Sequence, residues 1–161
     1  MTRMVALDTS TQKSGCALFE DGKLIDHRLI DLHKIVNSEE RMDKMCLSLA
    51  RVLSEWRPDI IWIEYPEGQG GNIKTFNMLC EILGAVRLYA VIKGCEFNEI
   101  KPPQWRKWLG WNQAGKRRAE LKQMSMDYVS EKYGAELNND ECDAIALGDA
   151  VVVHMDDISE E

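Results

Sequence analysis

No Cys-x-x-Cys pair occurs in this 161-residue chain, and its five cysteines (Cys16, Cys46, Cys80, Cys95 and Cys142) are odd in number and widely spread. That pattern argues against a disulfide framework and against a structural zinc site. Most of them have apolar neighbours and read as small buried hydrophobes. Histidine is scarce: His27, His33 and His154 form no pair at ligand spacing, which leaves them structural or surface roles. No uninterrupted apolar run approaches the roughly 20 residues of a membrane span, and no secretory pattern opens the chain. The expected setting is cytoplasmic, with no membrane partner. Positive charge is also short. There are 20 Lys and Arg against 27 Asp and Glu, a net charge of -7, which is awkward for a protein that must neutralise phosphates.

What is present is unevenly placed. Residues 101–125 carry Lys101, Arg106, Lys107, Lys116, Arg117, Arg118 and Lys122 against the single acid Glu120. One basic segment on an acidic body suits a local anion-binding surface, although a solvated helix face would look the same. Trp105, Trp108 and Trp111 lie among these cations. Aromatics interleaved with basic residues can stack on bases while the charges hold the backbone. Trp108 reads better as core, and Trp111, in a glycine-flanked loop, as the base-facing candidate.

Residues 3–8 form a short apolar run ending in Asp8. Gly15 to Phe19 and Leu24 to Leu32 follow as strands, joined by the hairpin signal Asp21-Gly22. Over 38–56 the period changes: Met42, Met45, Cys46, Leu49, Val52, Leu53 and Trp56 mark an amphipathic helix, with Asn37 or Ser38 as its cap. Pro58 ends it. Residues 59–64 read as a buried strand that again ends in an acid, Glu64. Residues 65–72 form a glycine-rich loop, 73–93 a helix stopped by Gly94, and 95–100 a strand. Pro102-Pro103 opens a short helical piece through Leu109, and a loop over 110–115 follows. Helices over 116–132 and roughly 140–154 close the chain, with an acidic, frayed tail over 156–161. The order βββαβαβαα predicts an α/β fold: a mixed five-stranded sheet with helices on both faces. No repeat or linker interrupts it, so residues 1–155 form a single domain.

Asp8 and Glu64 end two central strands, where ligands gather in open α/β sheets. Asp140 and Asp143 stand at i and i+3, on one face of the last helix. Any one of these acids alone has an ordinary explanation, and Asp140 alone would serve as a helix cap. Together they predict four converging carboxylates, which are unfavourable without a cation. Hard oxygen ligands suit Mg2+ or Mn2+. Two such ions can activate water and stabilise the leaving oxygen of a phosphodiester.

The chain resembles the RuvC family of Holliday junction resolvases, in the ribonuclease H superfamily, over nearly its whole length. The resemblance rests on Ala6-Leu7-Asp8 leading to Gly15, on Ile63-Glu64, on Asp140-Glu-Cys-Asp143-Ala144, and on Gly110-Trp-Asn-Gln-Ala-Gly-Lys116. It departs after the first strand, where the family has Asp-Pro-Gly and this chain has Asp8-Thr9-Ser10, and in the loop after Glu64. Both departures suggest a divergent, phage-type member. The resemblance implies a ribonuclease H-like fold and a metal-dependent endodeoxyribonuclease that cuts four-way or other branched DNA, leaving 5′-phosphate and 3′-hydroxyl ends. It implies Asp8, Glu64, Asp140 and Asp143 as ligands of two Mg2+ or Mn2+ ions, and Lys116 as a catalytic, phosphate-contacting lysine. Tyr65, Lys101, Arg106, Lys107, Trp111, Lys116, Arg117, Arg118 and Lys122 are the expected DNA contacts. Two symmetric cuts imply a homodimer, with the helix at 73–93 as the dimer element. The host would be a bacterial or phage-infected cell. The segment Leu7-Asp8-Thr9-Ser10-Thr11 is also similar to the opening of actin-like ATPase-fold proteins, including the partner subunit of the tRNA threonylcarbamoyladenosine machinery. Nucleotide binding is therefore the alternative.

Overall fold

β1 (Arg3–Asp8) is buried from Met4 onward, as befits a strand covered on both faces. The computed structural model describes residues 1–67 and 72–160. β1 lies at the centre of a five-stranded sheet of order β3-β2-β1-β4-β5. On one side it pairs antiparallel with β2 (Lys13–Glu20), which pairs antiparallel with β3 (Lys23–Asp31). On the other it pairs parallel with β4 (Ile60–Glu64), which pairs parallel with β5 (Glu96–Ile100). The Asp21-Gly22 turn has φ of 47° and 79°, the left-handed pair that a two-residue hairpin requires.

Among the described residues, five helices cover the sheet. α1 (Ser38–Trp56) is capped by the Asn37 side chain, which accepts from the Glu40 amide at 2.9 Å. α2 (Ile73–Lys93) is capped by Asn72 and stopped by Gly94 at φ 71°. Of the expected loop at 65–72, residues 68–71 lie outside the described residues. Side chains alternate along a strand. Val5 and Leu7 therefore point to α1 and α2, in a core with Cys16, Leu18, Ile61 and Ile63. Met4 and Ala6 point the other way, into a second core with Ala17, Phe19, Trp105 and the long α5 (Asn139–Ser159). The same parity sends Asp8 and Glu64 to the α5 side.

α3 (Pro102–Trp108) is a full helix in its own right, so the order is βββαβαβααα, one element more than expected. α4 spans Arg118–Tyr133 and begins two residues later than the expected 116, leaving Lys116 and Arg117 in the preceding loop. α5 runs through the boundary expected at 155. The 156–159 segment is helical rather than frayed, and the Ser159 hydroxyl donates to the Asp156 carbonyl at 2.7 Å, closing its last turn. α4 is pinned to α5 by Asp149, which is only 3% exposed. It accepts from Tyr128 Oη at 2.9 Å, Tyr133 Oη at 2.8 Å and Lys132 Nζ at 3.0 Å.

Among the described helices, α2 alone is long and apolar enough to cross a membrane by length and composition. Its inner side, Ile82, Leu83, Val86 and Ala90, belongs to the core, yet Ile73, Leu88, Val91 and Ile92 are 59–74% exposed. All five cysteines are free thiols.

Candidate active site

Leu7 and Ile63 pair across β1 and β4, so Asp8 and Glu64 emerge side by side from the ends of two parallel strands. Asp8 also pairs with Gly15 of β2. α5 begins directly over this glycine. A Cβ built on Gly15 would lie 1.9 Å from the Asp140 carbonyl oxygen, so only a bare backbone lets the helix start this close to the strand ends. At mid-helix, Gly148 presses against the Phe19 ring in the same way. The α5 cap is Asn138, whose side chain accepts from the Asp140 amide at 2.8 Å. Asp140 is therefore not the cap, and its carboxylate is left for other work. Glu141, between the two aspartates, is tied to β3 by His27, with Nδ1 2.7 Å from Oε2.

Asp8, Glu64, Asp140 and Asp143 line one cavity of about 660 Å³. Arg106, Lys116, Arg118 and Lys122 form a cationic wall; Tyr65, Pro66, Phe76 and Leu79, with the polar Glu67, Asn72 and Thr75, form a mixed one opposite. Thr9, Ser10 and Thr11 contribute hydroxyls beside Asp8.

Each acid is harder to ionise than usual. Burial, then the charges of Glu64, Asp143 and Asp140, hold the Asp8 carboxyl well above the ordinary carboxylate range. Burial and Asp143 push Glu64 up to about 7, against the pull of the Trp105 hydrogen bond and the Arg106 charge. Burial raises Asp143, with Ser125 and Arg106 in partial opposition. It also raises Asp140, where Lys122, Lys13 and Arg118 oppose it. Buried like charges are the situation a cation relieves. Asp143 Oδ1 is itself buried with no hydrogen-bond partner among the described residues, a costly state that a divalent ion would satisfy. The donor set is all oxygen and suits Mg2+ or Mn2+. Among the described residues, no three His, Cys, Asp or Glu groups are drawn together tightly enough to hold an ion unaided. The acids frame the cavity without closing into a cage.

Of the expected DNA contacts, Arg106, Lys116, Arg118, Lys122 and Tyr65 line the cavity, Tyr65 with its ring half-buried against the α1–α2 core. Lys101, Lys107 and Arg117 are exposed outside it. Trp111 lies outside the cavity, half-buried and held in place. Gly110 at φ 74° turns the chain back, the Trp111 amide donates to the Arg106 carbonyl at 3.1 Å, and the indole packs edge-on between Trp105 and Tyr128. Trp108 is half-buried against the core, as expected, and stacks on His154 at 3.8 Å. The sequence reading missed Phe76 and Leu79 at the cavity, Gly15 beneath α5, and Trp105, whose indole N–H donates to Glu64 Oε2 at 2.9 Å. Gly15 was visible as the residue opposite Asp8 in a hairpin; the others carried no local signal.

Neither a family model nor a curated protein sequence matches the chain. Solved structures do. RuvC of Thermus thermophilus, in complex with a Holliday junction substrate, superposes with TM-score 0.73 at 17% identity, covering 97% of this chain and 96% of that one. The Fowlpox virus resolvase, in complex with Holliday junction DNA, gives 0.66 at 17%, covering 96% and 99%. The yeast mitochondrial Holliday junction resolvase gives 0.62 at 14%, covering 99% and 81%. At these identities the likeness is one of fold: the architecture is ribonuclease H-like, as expected.

Proposed function

We propose that this chain is a metal-dependent, structure-selective endodeoxyribonuclease that cuts four-way junctions or other branched DNA. The observation that carries the reading is one cavity framed by carboxylates from β1, β4 and α5, faced by a cationic wall from α3, α4 and the loop between them. That three proteins of the same fold are named as Holliday junction resolvases supports the choice of substrate.

Asp8, Glu64, Asp140 and Asp143, which line the same cavity, would together hold two divalent ions. Mg2+ or Mn2+ held there supplies water activation and stabilisation of the leaving oxygen. The chain's own residues do the rest. Lys116, Arg106, Arg118 and Lys122 hold the phosphates and offset their charge. Tyr65 contacts the strand from the opposite wall. Lys101, Lys107 and Arg117 extend the grip beyond the cavity. The products carry 5′-phosphate and 3′-hydroxyl ends. One domain carries the whole site, and two copies cut the two strands of a junction. The outer side of α2, with Leu88, Val91 and Ile92 uncovered, is the surface that would bury itself against a second copy.

The test is a cleavage assay on labelled four-way junction and matched linear duplex, with Mg2+ or EDTA, beside Asp8→Asn. Paired, metal-dependent nicks in the junction, absent from the variant, are expected. No cutting of any branched DNA with Mg2+ or Mn2+ would overturn the reading, and nucleotide binding in its place would favour the actin-like alternative.

A further inference from the structure

We propose that Trp105 is the positioning residue for Glu64: its indole N–H holds one carboxylate oxygen so that the other is presented to a divalent cation in the cavity. The inference rests on the reading of Glu64 as a metal ligand.

Trp105 is 0% exposed, and Nε1 lies 2.9 Å from Glu64 Oε2. An indole N–H is a donor with no acceptor lone pair. It can neither take a proton from the acid nor compete for the ion; it can only orient the carboxylate and favour its charged form. The ring is itself packed by its neighbours. Trp111 packs edge-on at 5.6 Å and the Arg106 guanidinium lies over it at 5.1 Å. The short α3, opened by Pro102 and Pro103, thus delivers two consecutive side chains to Glu64: one holds an oxygen, the other supplies a charge. Burial works against ionisation of Glu64, and the Trp105 hydrogen bond works for it. Groups that orient metal ligands in this way typically govern metal affinity by about 10- to 100-fold.

A matched control exists within the same strand. Trp62 lies two residues before Glu64, packs in the same core, and has a buried Nε1 with no hydrogen-bond partner among the described residues. Trp62→Phe therefore removes an indole N–H that holds nothing, whereas Trp105→Phe removes one that holds the acid.

The experiment is calorimetric titration of Mn2+ into the DNA-free full chain, for wild type, Asp8→Asn, Trp62→Phe and Trp105→Phe. We expect Trp105→Phe to weaken binding about 10- to 100-fold and Trp62→Phe to leave it within about twofold. Equal binding by wild type and Trp105→Phe would overturn the inference while leaving the metal site intact. Absence of Mn2+ binding to wild type, with Asp8→Asn indistinguishable from it, would instead overturn the reading on which it rests. Should Trp105→Phe not fold, 15N spectra of the wild type decide. The Trp105 indole N–H signal is expected to move on Mg2+ titration while that of Trp62 stays. A stationary Trp105 signal would count against the proposal.

Discussion

On the α1–α2 face of the sheet, the inward side chains of β1, β2 and β4 are apolar apart from the buried Ser14: Val5, Leu7, Cys16, Leu18, Ile61 and Ile63. On the α3–α5 face the same strands continue their alternation into Asp8 and Glu64, and the helix laid over them brings Asp140, Asp143 and the buried Asp149. The first face gains stability from ordinary burial. The second gives some of it up by crowding carboxylates that resist ionisation. One sheet thus separates holding the fold from hosting the chemistry, and substitutions on its two faces should fail in different ways.

Asp143→Asn should make the widest separation. Cleavage is expected to fall on the order of a thousandfold or more, the scale of losing a group that stabilises transition-state charge. Thermal unfolding of the metal-free protein should move upward, because one of several repelling buried acids is gone. An unfolding midpoint that drops instead would show that Asp143 contributes to the fold as well. Leu49→Ala, on the opposite face, should do the reverse: about 2–5 kcal/mol of stability lost in denaturant titration, with the cleavage rate of the remaining folded protein preserved. Gly15→Ala should behave like a site mutation although it removes no functional group. The displaced start of α5 misplaces Asp140 and Asp143, and an error near 1 Å can cost about 100-fold in rate.

The acids also set a pH dependence. Glu64 sits at about 7 in the fold against an ordinary 4.5, so between those values the folded chain binds more protons than the unfolded one. Stability of the metal-free protein is therefore greatest at the acid end of this window and is lost as pH rises through about 7. Scanning calorimetry in EDTA from pH 5 to 8 should show a falling midpoint, and Mg2+ at pH 8 should restore it. The smallest effect belongs to a helix end far from this balance. Asn37→Ala removes the α1 cap and should cost about 0.5–2 kcal/mol without touching cleavage.

Much of the frame was legible in the sequence because it follows from local rules. Asp21-Gly22 dictates a hairpin, the Met42 to Trp56 stripe a helix, and the period of two sends Asp8 and Glu64 to one face of the sheet. The i, i+3 spacing then fits Asp140 and Asp143 to meet them. What was hidden depends on where loops lead their side chains. Trp111 looked available because glycines flank it, yet Gly110 is the residue that folds it back onto Trp105. Trp105 stood among the cation-flanked aromatics with no side chosen for it; it is core, and that its one polar atom would reach an acid 41 positions earlier has no local signature. Phe76 and Leu79 belong to the apolar face of α2, and nothing local shows that the cavity opens along that side of the helix.

The Asp149 cluster has a consequence for where a strand would be cut. Tyr128, Lys132 and Tyr133 lock α4 to α5, so Arg118 and Lys122, which grip phosphates in the proposed function, cannot slide relative to Asp140 and Asp143. Grip and blade are one body. The number of nucleotides between a held phosphate and a severed one then becomes a length measured by the protein, the same on any strand that fits the cleft.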